Sequence, residues 1–228
     1  MGRKSLQKKR ALDPEIRKKW MDSLVPYFLK NGFRRVTMED IAKKLGVSKA
    51  TLYEHYHSQD ELYELAVDFI LDEIRINKEI LYLNNLPYQD RFVHLVAMIL
   101  KQIIGISPIL LEDIKYFHPD LWQKYQDFYQ EWDLELRNFF KLAMKDDVFN
   151  KVDPAILSRL ITGILREILS PEFLMNNQIT VQQAFVDLFR LLTRGVFKDP
   201  EQIEDQLEKK LQEVIAGTLF FPTSMLQS

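Results

Sequence analysis

The 228-residue sequence contains no cysteine, which excludes disulfide scaffolds, thiol nucleophiles, thiolate metal sites and thiol-based redox sensing. That absence fits a reducing, cytoplasmic setting. Glycine (7 residues) and proline (9) are scarce, which argues against collagen-like, low-complexity and many-turned all-β architectures. Long apolar runs are missing too. The longest uncharged stretches, 102–111 and 217–228, fall short of the roughly 20 residues a membrane helix needs, so no membrane association is expected. The basic stretch 1–9 is not followed by an apolar segment of signal-peptide length, and no targeting segment is expected. Enzyme signatures are equally thin: there is no Walker or dinucleotide glycine loop, no GxSxG and no HExxH. The acidic pairs Glu112-Asp113 and Asp146-Asp147 read as solvated helix ends, so neither catalysis nor a cofactor is expected.

What remains is 46% hydrophobic and 28% charged, an ordinary globular composition with length for one large or two modest domains. Its net charge of −2 is a cancellation. Residues 1–57 carry 14 Lys and Arg against 6 Asp and Glu, a balance of +8, and residues 58–228 carry 17 against 27, a balance of −10. A basic N-terminal quarter is what a phosphate-binding module requires, although a merely solvated surface carries such charge as well.

Periodicity is helical nearly throughout. Asp13 and Pro14 have the residue types of an N-cap and a first helical position, followed by the stripe Ile16, Trp20, Leu24 and Phe28. Gly32 supplies a left-handed stop, and Pro26 predicts a kink or a missing hydrogen bond inside the helix. Thr37-Met-Glu-Asp40 resembles a capping box with Val36 and Ile41 as its staple. Ser48 caps the next helix with Val47 and Leu52, and Ser58-Gln-Asp-Glu61 opens a longer one. The segments 37–45 and 48–56, joined by a turn at Gly46, form a helix-turn-helix signature. Further helices are expected over 88–106, over 119–145 (apolar spacing 4-3-4-4-3-4 from Leu121 to Ala143), from 154 to before Pro171, over 180–197 and over 200–216. No alternating strand pattern competes. The expected fold is all-α: a three-helix helix-turn-helix domain at 13–57 behind a basic arm at 1–12, a larger helical domain at 58–198, and an additional helix and tail at 199–228.

In a helix-turn-helix the second helix presents its N-terminal residues to base edges in the major groove. Ser48, Lys49, Ala50, Thr51 and Tyr53 are the candidates here, with Ala50 able to approach a thymine methyl. Tyr53 and Tyr56 are long enough to reach phosphates, Thr37 sits at a helix start where an anion is favoured, and His57 faces the same backbone. Each has a plainer role beside this one. Thr37 and Ser48 are helix caps whether or not DNA is bound, and Tyr56 can pack beneath the next helix. His55 and His57 are too close in sequence for i,i+4 metal ligation, and no metal site is expected.

The ordered run Gly32-Phe33, Val36-Thr37-Met-Glu-Asp-Ile-Ala42, Leu45-Gly-Val-Ser-Lys-Ala-Thr-Leu-Tyr53, His55-Tyr56 and Asp60-Glu-Leu62 resembles the TetR family of bacterial transcriptional regulators. The match spans roughly 16–69, under a third of the chain. The resemblance implies a homodimer on a palindromic double-stranded operator, with a C-terminal domain that senses a small molecule. It also implies DNA contacts at Thr37, Ser48, Lys49, Thr51, Tyr53 and Tyr56. Two residues depart from the pattern: Gln59 stands where a basic phosphate contact is usual, and Pro26 lies inside the first helix.

In the larger region, two helices carry wide apolar stripes that suggest burial on two sides, against the core and against a second subunit. One holds Leu157, Leu160, Ile161, Ile164, Leu165 and Ile168, and the other Phe185, Leu188, Phe189 and Leu192. Between them and the head, Trp122, Tyr125, Phe128, Tyr129 and Trp132 either pack a core or line a pocket for a largely apolar or aromatic effector. His94, Arg137 and Arg166 are the candidate polar anchors. The functional expectation is a repressor released from its operator by that effector. A helical interaction module with a silent helix-turn-helix would not need the +8 balance.

Overall fold

A computed structural model describes residues 13–202 and 209, with the side chains of 77, 78, 101–105, 166 and 202 excepted. The basic arm, the helix expected over 200–216 and the tail lie largely outside these residues. Ten α-helices are described: α1 (Pro14–Asn31), α2 (Met38–Leu45), α3 (Lys49–His55), α4 (Gln59–Lys78), α5 (Tyr88–Gly105), α6 (Pro108–Phe117), α7 (Pro119–Lys145), α8 (Pro154–Ile168), α9 (Pro171–Asn177) and α10 (Val181–Val196). Short 3-10 turns follow α4 at Glu79–Tyr82 and α10 at Pro200–Gln202.

The few prolines mark helix starts. Pro14, Pro108, Pro119, Pro154 and Pro171 are each the first residue of a helix, where a missing N–H costs nothing. Four of them follow a capping side chain, Asp13, Ser107, Asp153 or Ser170, which accepts a backbone N–H of the first turn. That pairing produces two helices that periodicity alone does not predict, α6 and α9. Pro26 lies exposed within an unbroken α1. Ile16 departs from the expected stripe: it is exposed, and the buried face of α1 is Trp20, Met21, Leu24, Val25 and Phe28.

Packing gathers the described chain into two compact units. One joins the residues up to 73 with 106–126, and the other joins 74–105 with the residues from 127 onward. In the first, α1 packs on α2 and α6, and α2 on α3, around Leu24, Phe28, Phe33, Ile41, Leu52 and Leu62, all fully buried. α6 and the start of α7 thus belong by packing with the helix-turn-helix.

The second unit is held by rings. Phe149, fully buried, lies 4.8 Å from Phe197, 5.8 Å from Phe92 and 6.0 Å from Phe139, in edge-on arrangements that favour aromatic pairs. The chain beside it is tied by an antiparallel bridge between Phe149 and Phe197, in which the Asn150 N–H donates to the Val196 carbonyl at 2.8 Å. The Asn150 side-chain amide adds bonds to the carbonyls of Gly195 and Phe197, both 3.0 Å. α8 packs on α5 and α10 over the same core. Phe149→Ala removes the ring about which the others are arranged, and should destabilise the protein by about 3–5 kcal/mol. Urea denaturation checks this as a lowered midpoint at an unchanged slope.

Candidate nucleic-acid interface

The reading head is built from caps. The Thr37 hydroxyl accepts the Asp40 N–H at 3.2 Å, and the Asp40 carboxylate accepts the Thr37 N–H at 2.9 Å and its hydroxyl at 2.6 Å. This is the reciprocal capping box expected from the sequence. The Thr37 bonds hold the Asp40 carboxyl below its ordinary value, so the box stays charged at neutral pH. α2 ends at Gly46 in the left-handed conformation (φ 69°, ψ 27°), and two residues later the Ser48 hydroxyl accepts the Thr51 N–H at 3.0 Å to start α3. The Ser48 and Thr51 hydroxyls also bond each other at 2.9 Å.

Because Leu52 is fully buried, the opposite face of α3 is turned outward. Lys49, Ala50 and Tyr53 (49% exposed) lie on it, with Ser48 exposed at its start and Thr51 half-buried at its side. Thr37 and His57 are exposed, and Arg34, Arg35, Lys43 and Lys44 add positive charge on the same unit. The arrangement offers hydroxyl, ammonium, methyl and phenol groups from one short helix, the set needed to reach base edges and phosphates together.

Tyr56 does not join them. Its side chain is 5% exposed and packs against Trp20 at 6.1 Å, and its buried hydroxyl has no hydrogen-bond partner. Burial raises its pKa above the ordinary phenol value. The alternative of packing beneath the neighbouring helices therefore describes it, and it cannot serve as a phosphate contact in this conformation. Gln59 is likewise turned inward. Its amide donates to the Val36 carbonyl and the Tyr63 hydroxyl, and Tyr63 in turn donates to the Phe33 carbonyl at 2.7 Å. Gln59 thus ties α4 to the α1–α2 corner. At the start of α4 Ser58 accepts the Glu61 N–H, while the Glu61 carboxylate accepts the N–H of His57.

One acidic residue was misplaced by sequence reasoning. Asp113 is 7% exposed, and its Oδ2 accepts the N–H groups of Phe33 at 2.7 Å and Arg34 at 3.0 Å. It is a buried acceptor and not a solvated helix end. The signal was available: with Leu110 and Ile114 it falls on the apolar face of α6, where an acid needs a partner.

The other expected sites are dispersed. Trp122 and Tyr125, stacked at 5.3 Å, belong to the first unit, whereas Phe128, Tyr129, Trp132 and His94 belong to the second. Phe128 and Trp132 are buried, with the Arg75 guanidinium 5.3 Å from the Phe128 ring; Tyr129 is half-buried against Phe128. His94 is exposed on α5. Arg137 pairs with Asp133 at 2.5 Å within α7, and the side chain of Arg166 lies outside the described residues. Of the ten residues expected at a subunit interface, Leu157, Ile161, Leu165, Phe185, Leu188, Phe189 and Leu192 are buried in the protomer's own core. Ile164 and Ile168 are half-buried against it, and Leu160 is exposed at 40% beside Ile156 at 62%. The protomer's core takes one side of each stripe, and Leu191 of α10 is exposed as well, at 69%.

Among the described residues no group of acidic residues and histidines could hold a metal ion, and no helix is long and apolar enough to cross a membrane. Residues 26–66, from the last turns of α1 to the first half of α4, match the bacterial regulatory proteins of the tetR family. That segment of the chain is a tetR-family DNA-binding segment. The chain is 26% identical over 167 residues to the uncharacterized HTH-type transcriptional regulator YvaF of Bacillus subtilis, covering 72% of this chain and 87% of that protein. It is 26% identical over 145 residues to IcaR of Staphylococcus aureus, a negative transcriptional regulator of the biofilm operon icaADBC, covering 60% and 77%. In fold it is similar to a putative transcriptional regulator from Saccharomonospora viridis solved in complex with choline, with a TM-score of 0.65, 19% identity and coverage of 82% and 100%. Both sequence relatives are helix-turn-helix transcriptional regulators.

The buried Tyr56 hydroxyl separates a packing role from a DNA-binding one. Because that hydroxyl lacks a partner, Tyr56→Phe should leave DNA affinity within twofold of wild type and keep or raise the melting temperature. Fluorescence anisotropy and thermal denaturation read the two quantities.

Proposed function

We propose that the protein is a sequence-specific transcriptional repressor that binds a palindromic operator as a homodimer and is released by a small, largely apolar or aromatic effector. The observation that carries this reading is the outward face of α3, where Lys49, Ala50 and Tyr53 stand exposed on a doubly capped helix in the basic part of the chain. The negative regulator IcaR among its relatives supports repression over activation. The relationship to transcriptional regulators supports a non-enzymatic, cytoplasmic protein. Thr37, Ser48, Thr51 and His57 complete the contact set with Lys49, Ala50 and Tyr53. Caps at Thr37 and Ser48 serve helix and phosphate together, because the first turn of a helix offers free N–H groups and positive dipole to an anion.

For the dimer, two recognition helices must meet half-sites about 34 Å apart, one turn of DNA. The side chains available to a second copy are those the core leaves outside: Ile156 and Leu160 on α8 and Leu191 on α10, with Gly163 in the same stripe as Ile156 and Leu160 presenting open space to an approaching helix. The effector would be held within the second unit, among the α7 aromatics Phe128, Tyr129 and Trp132, with Arg137 or His94 as a polar anchor. It acts by favouring a conformation of the dimer in which the two recognition helices no longer fit both half-sites.

Selection from a random DNA pool, followed by anisotropy titration of the recovered sequence, tests the reading. A palindromic site should emerge, and Tyr53→Ala or Lys49→Ala should weaken its binding by about 1–3 kcal/mol. Binding that is weak, salt-labile and indifferent to sequence would overturn it. For the subunit face, Ile156→Glu with Leu160→Glu should shift the sedimentation coefficient from dimer to monomer and abolish binding to the full palindrome while leaving helicity unchanged.

A further inference from the structure

The corner between α1 and α2 carries Arg34 and Arg35 and leads into the Thr37 cap, and it is held by groups from outside the helix-turn-helix. Three features fix it. At Gly32 the backbone takes φ 72° and ψ −173°, a conformation outside the left-handed helical well and essentially confined to glycine. A Cβ placed there would stand 2.3 Å from Asp113 Oδ2 and 2.8 Å from Ile109 Cγ2, so α6 approaches as closely as a side-chain-free residue permits. Next, Asp113 Oδ2 accepts the two successive N–H groups of Phe33 and Arg34. Finally, one turn further along α6, the Phe117 ring lies 4.3 Å from the Arg34 guanidinium carbon.

The Phe117 ring is half-exposed, at 52%, and Arg34 is exposed. A guanidinium stacked on a ring keeps its in-plane N–H donors free, which is the geometry for phosphate recognition. Phe33, the other residue bonded by Asp113, is clamped from its far side. Its ring stacks on Tyr63 at 3.9 Å, its carbonyl accepts the Tyr63 hydroxyl, and the His118 ring meets both rings edge-on at 5.8 and 5.3 Å. With backbone and side chain held on both sides, the corner has little freedom to relocate Arg34 on its own.

We propose that Asp113 is the positioning residue of the DNA-reading head: through its bonds to the Phe33 and Arg34 amides it sets the α1–α2 corner so that Arg34, braced on Phe117, contacts a DNA phosphate. Asp113 itself touches no DNA. The inference rests on the DNA-binding reading and assigns that site a residue from a helix more than seventy positions further along the chain. It also makes the placement of α6 a condition of tight binding, since the same helix supplies both the carboxylate and the ring.

The full-length protein and the operator recovered from the selected pool provide the test, with anisotropy titrations over a series of salt concentrations. Arg34→Gln should reduce the slope of log affinity against log salt by about 1, the signature of one lost phosphate contact. Asp113→Ala should weaken binding about tenfold with the same fall in slope, and the double variant should bind no worse than Asp113→Ala alone. Asp113→Asn, which keeps an acceptor oxygen for both amides, should remain within about threefold of wild type. Phe117→Ala truncates an exposed ring and leaves the carboxylate bonds in place, so it reports on the brace if Asp113→Ala fails to fold; its slope should fall in the same direction. A protein merely destabilised by Asp113→Ala would show a lower melting temperature with the wild-type slope, and that result overturns the proposal. Wild-type affinity and slope in both Arg34→Gln and Phe117→Ala overturn it as well. If the wild type itself binds no sequence preferentially, the DNA-binding reading falls and this inference with it; an operator-binding wild type with an unaffected Asp113→Ala removes this inference alone.

Discussion

Two backbone N–H groups at the end of a tight corner need acceptors, and a buried carboxylate needs donors. The bonds from Phe33 and Arg34 to Asp113 meet both needs at once. Left unpaired, the Phe33 amide or the carboxylate would cost on the order of 1–3 kcal/mol or more, since both are buried away from water. Much of the first unit follows from that pairing. α6 must lie against the C-terminal end of α1, Gly32 must lack a side chain, and the chain must reach Val36 in the position from which its carbonyl meets Gln59 and Tyr63. The corner then delivers Thr37 to the start of α2, and the capping box does the rest.

Above this polar pairing, the two units use different physical means. The first relies on caps and on a small mixed core, as short helices must: α2 and α3 have 8 and 7 residues, too few to be stable without tertiary support. The second relies on ring packing, with Phe149 edge-on to Phe92, Phe139 and Phe197 beside a bridge that ties the α7–α8 connection to the end of α10. The contrast suits the division of labour. A reading helix must expose its polar side chains while being held from behind, whereas a core that supports long helices can spend its surface on mutual burial.

Several elements were legible because their chemistry is local. The capping residues Asp13, Thr37, Ser48, Asp153 and Thr180 bond within three residues of themselves, so their types alone announce the helix starts, and the apolar spacing of α7 marks its full length. α6 and α9 carry the same Ser-Pro start and were legible by the same rule, but a short amphipathic stretch after a proline reads as a break when periodicity is weighed alone. The direction in which a side chain points was less accessible. Tyr53 and Tyr56 are both phenols at the end of one helix, yet one is half-exposed and the other packs on Trp20, because only Tyr56 lies beyond the last turn of α3 where the chain folds back against α1. The wide stripes of α8 and α10 likewise looked two-sided in sequence. Packing divides the stripes, taking Leu157, Ile161, Leu165 and their counterparts into the core and leaving Ile156 and Leu160 outside.

By itself, then, the sequence determined the all-helical class, the helix-turn-helix with its caps, the resemblance of that segment to the tetR family and the concentration of positive charge near the N-terminus. All of these depend on residue types and spacings within a few positions of one another. Only the tertiary structure decided that α6 packs with the reading head, that Asp113 is buried against amides eighty residues away, that Gln59 turns inward and that Tyr56 leaves the candidate interface. The reason is physical. A cap is satisfied by its own helix, whereas a buried carboxylate or an unpaired amide is satisfied by whichever distant group the packing brings to it, and nothing in the local sequence names that group.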